Sequence, residues 1–245
     1  MRGVVLAGGR GTRLRDRTGG ANKHLLPLGG RAMIEYPIDA LLGCGIDDIT
    51  IVTSPEHEHD LRAHLERRSP TPGASFQIAI QRSPAGIADA LGCAEAFTAG
   101  EAVCVILGDN VLERPIRAHA EAFAQRPVGA KVLLCETDEP ERFAIASFEG
   151  ADPGAPIREI TEKPASARGS AAVIGVYFYE AGVYDVVRSL EPSARGELEI
   201  TDVNRAYLSR GELAHAFIDG WWVDAGTPEG LTRAESLLRR RERRA

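Results

Sequence analysis

Residues 3–14 read GVVLAGGRGTRL: an apolar run over 3–7 breaks directly into a turn carrying Gly8, Gly9 and Gly11. The run shows no polar alternation, so both of its faces must be covered, as in a strand inside a parallel sheet. Glycines at the end of such a strand let successive backbone N–H groups turn toward a phosphate, and Thr12 and Arg13 add side-chain donors. The spacing fits neither stock phosphate motif. No Gly-Lys-Ser/Thr completes a Walker A loop, and Leu14 stands where a dinucleotide fingerprint needs its third glycine.

Working outward, the same kind of run recurs at ITIVT (49–53), FQIAI (76–80), AVCVILG (102–108) and AKVLLCE (130–136), with helical patterns at 32–43, 57–67, 84–98 and 113–126 between them. That alternation predicts βαβ units and an α/β, doubly wound, mostly parallel sheet whose ligands sit outside the carboxyl ends of the strands. From about residue 140 the pattern changes. FAIASFEG, APIREITEK and the stretch 172–180 read as strands with little helix between them, and helices follow near 182–190 and 197–210. AHAFIDGWWVD (214–224) reads as one further strand and 227–243 as a last helix with a solvated, arginine-rich end. The β-rich stretch is expected to form a lid-like annex on the edge of the first sheet.

The 245 residues are 44% hydrophobic and 26% charged, with a net charge of −6, which places the chain among soluble globular proteins and argues against a nucleic-acid or anionic-membrane surface. No run of about 18 apolar residues could span a bilayer, and the N-terminus turns glycine-rich too early for a secretory signal, so a cytoplasmic location is expected. Cys44, Cys93, Cys104 and Cys135 form no C-x-x-C pair and are expected to be buried, reduced thiols. One end of the chain is locally basic: residues 1–31 hold Arg2, Arg10, Arg13, Arg15, Arg17, Lys23 and Arg31 against Asp16 alone, which suggests a small basic site for anionic small molecules. Of 29 basic residues only Lys23, Lys131 and Lys163 are lysines, so each is a candidate for a place that needs a compact ammonium. Asp109 closes the most apolar strand, VCVILGD, and Asp224 closes GWWV in the same way. Two carboxylates from separate strands suit a Mg²⁺ ion that keeps waters and substrate oxygens as its other ligands.

Taken in order, LAGGRGTRL, NKHLLPLGG, MIEYPIDAL, QRSPAGIADAL, VILGDN, DEPERFAI, ITEKP, VIGVYFYE, PSARGELEITDVN and GWWVDAGTPEGL closely resemble the sugar-1-phosphate nucleotidylyltransferases over essentially the whole chain. Within that family the chain is most similar to the branch that joins dTTP to glucose 1-phosphate, in the shorter form without a C-terminal extension. The resemblance implies a Rossmann-like nucleotidyltransferase fold with a β-rich sugar-binding insertion, arranged as one domain with a nucleotide half at about 1–135 and a sugar-binding and metal-completing half at about 136–245. It implies in-line attack of a sugar phosphate oxygen on the α-phosphorus of the triphosphate, with Mg²⁺, to give dTDP-glucose and pyrophosphate. Alternatives are the same chemistry with UTP, CTP or another sugar 1-phosphate, or a non-catalytic regulatory homologue. A dinucleotide oxidoreductase is disfavoured because Thr53-Ser54 stand where an acidic residue would end the second strand. Relatives of this kind are commonly dimers or tetramers, so a homo-oligomer is expected.

Residue by residue, the likeness makes Arg13, Lys23 and Asp109 catalytic and places the metal on Asp109 and Asp224. It assigns Leu6, Gly8, Gly9, Gly11, Thr12 and Arg13 to the nucleotide, with Gln81 and Gly86 on the base. It assigns Ala144, Glu162, Lys163, Val173, Tyr177, Arg195 and Trp222 to the sugar phosphate. Four departures stand out. Ala144 replaces a glycine that lies against the hexose in the family, Asp16-Arg17 replace a usual Pro-Leu, Gly19-Gly20 loosen the same loop, and Arg31-Ala32 stand where a basic residue and proline are common.

Overall fold

The computed structural model describes every residue except 10, 69–70, 99, 151, 166–169 and 244–245. Its strands are β1 (Arg2–Leu6), β2 (Pro27–Leu28), β3 (Arg31–Ala32), β4 (Asp48–Thr53), β5 (Ser75–Ile80), β6 (Val103–Leu107), β7 (Asn110–Leu112), β8 (Ala130–Thr137), β9 (Ala144–Phe148), β10 (Ile157–Glu162), β11 (Ser170–Tyr179), β12 (Leu213–Phe217) and β13 (Trp222–Asp224). Its helices are α1 (Arg15–Thr18), α2 (Glu35–Leu42), α3 (Glu58–Arg67), α4 (Ile87–Gly92), α5 (Glu95–Thr98), α6 (Arg117–Gln125), α7 (Val183–Ser189), α8 (Ile200–Ser209) and α9 (Pro228–Glu242).

Strands β5, β4, β1 and β6 lie side by side and parallel, as the apolar runs require. Side chains alternate across this sheet: Val4, Leu6, Val103 and Val105 enter one apolar cluster while Val5, Ala7, Cys104 and Ile106 enter the other. Helices α4, α7 and α8 cover the first face; α2, α3 and α6 cover the second. A third cluster holds α9 against β2, β7 and β13. Among the described residues no helix is long and apolar enough to cross a membrane.

The second half departs from expectation in two ways. First, the β-rich stretch is no separate lid. Strand β11 pairs antiparallel with the free edge of β6, and with β8, β9, β10 and β12 it continues the parallel core into a mixed sheet of nine strands among the described residues. The join is made by unpaired backbone groups at the β6 edge, which a buried sheet must satisfy. Second, 214–224 is two strands. The chain turns at Gly220, where φ is +78°, so that β12 stays beside β8 while β13 leaves the main sheet to pair with β7. The predicted helix 84–98 also divides, into α4 and α5, and it begins only after Gly86. That glycine has φ of +109°, and a Cβ on it would strike the carbonyl oxygen of Leu198. The close approach is fixed by two backbone bonds, from Leu198 N–H to the Ala85 carbonyl (2.7 Å) and from Ala88 N–H to the Leu198 carbonyl (3.0 Å).

Candidate active site

The turn after β1 lies at the carboxyl edge of the sheet, where Gly8 and Gly9 border a cavity of about 650 Å³. Gly9 has φ of +94°, a conformation open to glycine and costly for other residues. Arg13, on the 3-10 turn Thr12–Leu14, is exposed, and its side chain makes no hydrogen bond or ion pair among the described residues. The Thr12 side chain lies outside the described residues. Lys23 opens the next 3-10 turn, which Asn22 caps: its Oδ1 accepts from the His24 backbone N–H at 2.8 Å and lies 2.8 Å from His24 Nδ1. Burial and the neighbouring Lys23 push His24 down to about 3, so its ring is neutral at working pH.

Lys23 Nζ donates to Asp109 Oδ2 at 2.6 Å. Asp109 follows β6 and precedes β7, and β7 pairs antiparallel with β13 in the register Asn110 to Asp224. That pairing, with the Ala225 N–H donating to the Asp109 carbonyl at 2.8 Å, brings two aspartates 115 positions apart to one place. Gly226 sits between them. An ideal Cβ there would collide with Asp109 Oδ2 and come 2.9 Å from Asp224 Oδ1, so the missing side chain leaves both carboxylates around one small space. Asn110 ties this corner to the sheet. Its Oδ1 accepts from the indole Nε1–H of Trp222 at 2.5 Å and from the Gly175 N–H at 3.2 Å, and its Nδ2 donates to Asp109 Oδ1 at 3.3 Å.

Electrostatics separates the pair. Burial by itself would raise Asp109, but the charge and hydrogen bond of Lys23 outweigh it and hold the carboxyl at about 2. Asp224 is raised by burial and by the charge of Asp109. Burial would lower Lys23, yet Asp109 and Asp224 together raise it. The corner therefore holds a firmly ionised carboxylate, a second carboxylate of raised affinity for protons and a firmly charged ammonium.

Gln81, Gly86, Glu162, Lys163 and Arg195 border the same cavity. Glu162 ends β10, accepts from Thr201 Oγ1 at 2.6 Å and lies 3.4 Å from Lys163 Nζ. Lys163 has φ of +44°, the one non-glycine residue with positive φ among those described, so its backbone is held in a costly conformation at the rim of the site. Arg195 is held by Glu199 at 2.8 Å.

Of the residues expected from sequence, Leu6, Gly8, Gly9, Lys23, Gln81, Gly86, Asp109, Glu162, Lys163 and Arg195 border the same cavity. Asp224 and Trp222 border a second one, of about 590 Å³, together with Arg142 and Phe143. Gly11 and Arg13 lie just outside, with Gly11 above the Lys23 stem. Ala144, Val173 and Tyr177 do not border the cavity. They pack in the first apolar cluster, and Tyr177 is pushed above its ordinary pKa by burial.

The basic N-terminal segment contributes less than its composition suggests. Arg2 pairs with Asp48 and Glu101, and Arg31 with Asp39 and Glu35, all away from the cavity. Lys131, the third lysine, donates to the His119 carbonyl at 3.4 Å and has no place in the site. All four cysteines are free, but only Cys104 is buried; the others are half-buried. Sequence reading missed Asn110, Thr201, Glu199 and Gly226. Each lies within a motif already singled out, VILGDN, PSARGELEITDVN or GWWVDAGTPEGL; Asn110, Thr201 and Gly226 meet partners remote in sequence, while Glu199 holds Arg195 only four residues away.

A mixed α/β sheet with a glycine turn, a lysine and two strand-end carboxylates at its carboxyl edge defines a nucleotide-handling transferase. The sequence profile of the family described as "Nucleotidyl transferase" matches residues 2–241, and the chain belongs to that family. It is 38% identical over 241 residues to the glucose-1-phosphate thymidylyltransferase of Neisseria meningitidis serogroup A, covering 97% of this chain and 82% of that protein. It is also 38% identical to the protein of the same name from an Actinoplanes species, covering 98% and 78%. A solved Bacillus anthracis structure in complex with a sucrose, provisionally assigned the same name, matches with a TM-score of 0.88 at 44% identity, covering 98% and 95% of the two chains. UDP-glucose pyrophosphorylase complexed with UDP-glucose shares the fold at 21% identity and a TM-score of 0.86, covering 98% of each chain.

Proposed function

We propose that this cleft condenses dTTP with glucose 1-phosphate, releasing pyrophosphate and dTDP-glucose. The observation that carries the reading is the gathering of Lys23, Asp109, Glu162, Lys163 and Arg195 around one cavity, in a chain similar over nearly its whole length to relatives bearing that activity in their names. Two anions have to be brought together, so charge neutralisation and alignment supply most of the rate. An oxygen of the sugar phosphate attacks the α-phosphorus, the bond from that phosphorus to the bridging oxygen of the β-phosphate breaks, and pyrophosphate leaves with the electron pair. No general base is needed, because the attacking phosphate oxygen is already ionised.

In this reading Lys23 leaves Asp109 for the α-phosphate, and the exposed guanidinium of Arg13 takes the departing pyrophosphate through a two-pronged contact. Gly8, Gly9, Gly11 and Thr12 hold the triphosphate, and Leu6, Gln81 and Gly86 hold nucleoside and base. Lys163 and Arg195 take the sugar phosphate, Arg195 exchanging its Glu199 partner for the ligand. Glu162, steadied by Thr201, accepts from sugar hydroxyls. Ala144, Val173 and Tyr177 back the hexose end from the first apolar cluster, and Trp222, from the opposite face, steadies the Asp109 corner through Asn110. The division into a nucleotide half and a sugar half is part of the same proposal.

The aspartate pair fits a Mg²⁺ ion. The two carboxylates around the Gly226 gap leave positions for water and phosphate oxygens, as this ion prefers. Bound there, Mg²⁺ would supply charge neutralisation at the phosphates. The test is pyrophosphate release by purified protein, crossing dTTP, UTP, CTP, ATP and GTP with several hexose 1-phosphates, with and without Mg²⁺. Highest turnover is expected with dTTP and glucose 1-phosphate. No release with any pair refutes the reading.

A further inference from the structure

We propose that Asp89, a residue outside the cavity, is a positioning residue that selects the nucleobase by fixing which end of the Gln81 amide faces it. The inference rests on the reading of this cleft as a nucleoside triphosphate site. Gln81 follows β5, is 5% exposed and borders the cavity. Its Nε2 donates to Asp89 Oδ2 at 2.8 Å and to the Gly86 carbonyl at 3.0 Å. A carboxylate and a carbonyl can only accept, so both amide N–H groups are consumed by the protein and the orientation is unambiguous. A flipped amide would set its own oxygen against two oxygens, one of them ionised. Oε1 is left over. It lies 3.1 Å from where a Cβ on Gly8 would stand, which aims it at the phosphate-loop side of the cavity.

Asp89 has little else to do. It sits in the first turn of α4 and forms no ion pair among the described residues. The alternative role, a charge complementing the start of a helix, would affect stability alone. Through Asp89, the base meets a pure acceptor at Gln81. Thymine and uracil offer an imide N3–H to such a group, whereas cytosine presents a bare N3 and opposes lone pair to lone pair. A site that hydrogen-bonds a specific donor rejects analogues lacking it far more strongly than an apolar pocket rejects a methyl group. The selected class is therefore an imide pyrimidine, and the selecting contact depends on a residue that does not touch the ligand.

The experiment compares wild type with Asp89→Ala and Asp89→Asn, using full-length protein, Mg²⁺ and glucose 1-phosphate. It reads kcat/KM for pyrophosphate release from dTTP and from dCTP, and equilibrium binding of each nucleotide without sugar. Alanine suits a helix, so folding is retained. Wild type is expected to favour dTTP, Asp89→Ala to lower the dTTP-to-dCTP ratio at least tenfold, and Asp89→Asn, which keeps an acceptor, to restore most of it. An unchanged ratio in Asp89→Ala, or an Asp89→Asn ratio as low as that of Asp89→Ala, overturns the role of Asp89 while leaving the proposed function standing. Wild-type protein that neither binds nor turns over dTTP overturns both.

Discussion

Replacing Lys23 with methionine keeps the length of the stem and deletes its charge, leaving the Asp109 carboxylate near Asp224 without its strongest partner. The two side chains are only 17% and 14% exposed, so solvent screens their attraction little. Removing one member of a buried pair costs about 3–5 kcal/mol, and the residual exposure here favours the lower end, about 3 kcal/mol at pH 7. The loss carries a pH signature. In the wild type Asp109 titrates at about 2, below its ordinary 3.8, so its contribution is fully present above about pH 4 and is lost as the pH falls toward 2. In the variant, burial acts on Asp109 without Lys23 to oppose it and raises the carboxyl above 3.8. Acid then neutralises the uncompensated charge. A rise of one unit narrows the gap between the two proteins by on the order of 1 kcal/mol between pH 7 and pH 4. Urea unfolding of both proteins across that range reads the gap directly. A loss below about 1 kcal/mol at pH 7, the value of an exposed pair, or a gap that widens on acidification, refutes the reasoning.

Other substitutions test other parts of the site. Gly86→Ala places a methyl group on the Leu198 carbonyl at a φ that alanine avoids, and should cost about 3 kcal/mol in chemical unfolding together with most nucleotide binding. Asn110→Ala removes the acceptor shared by Trp222 and Gly175 and should destabilise by about 2–3 kcal/mol, with at least tenfold weaker Mn²⁺ binding followed by paramagnetic relaxation. A variant as stable as wild type with unaltered ion affinity would discount the Asn110 hub. Lys163→Gly relieves the positive-φ backbone and should raise stability by about 0.5–1 kcal/mol while pyrophosphate release falls at least a hundredfold. Retained activity there would show that the ammonium is dispensable.

The fold was legible wherever burial is periodic. β1, β4, β5, β6 and β8 fall within a residue or two of the apolar runs, because a strand covered on both faces needs apolar residues at every position. The misreadings lie at 84–98 and 214–224, where Gly86 and Gly220 interrupt a continuous pattern. A glycine in such a pattern marks either a tolerated weak point or a reversal of the chain, and the partner that decides between them, Leu198 for Gly86, is more than a hundred residues away.

The sequence by itself determined the chemical inventory: a glycine turn after the first strand, a lysine retained in a chain that otherwise uses arginine, and acids at the ends of two strands. Only the tertiary structure decided how these groups act on one another. Asp109 and Asp224 meet because β7 and β13 pair in one register, and a shift of one residue would turn an aspartate away. Arg2 and Arg31 drop out because Asp48 and Asp39 reach them first. Gln81 presents an acceptor because two other acceptors hold its N–H groups. Periodicity along a chain reports which side of an element is buried, but the partner of a charge or an amide is set by distances between remote segments, which exist only once the sheet has closed around them.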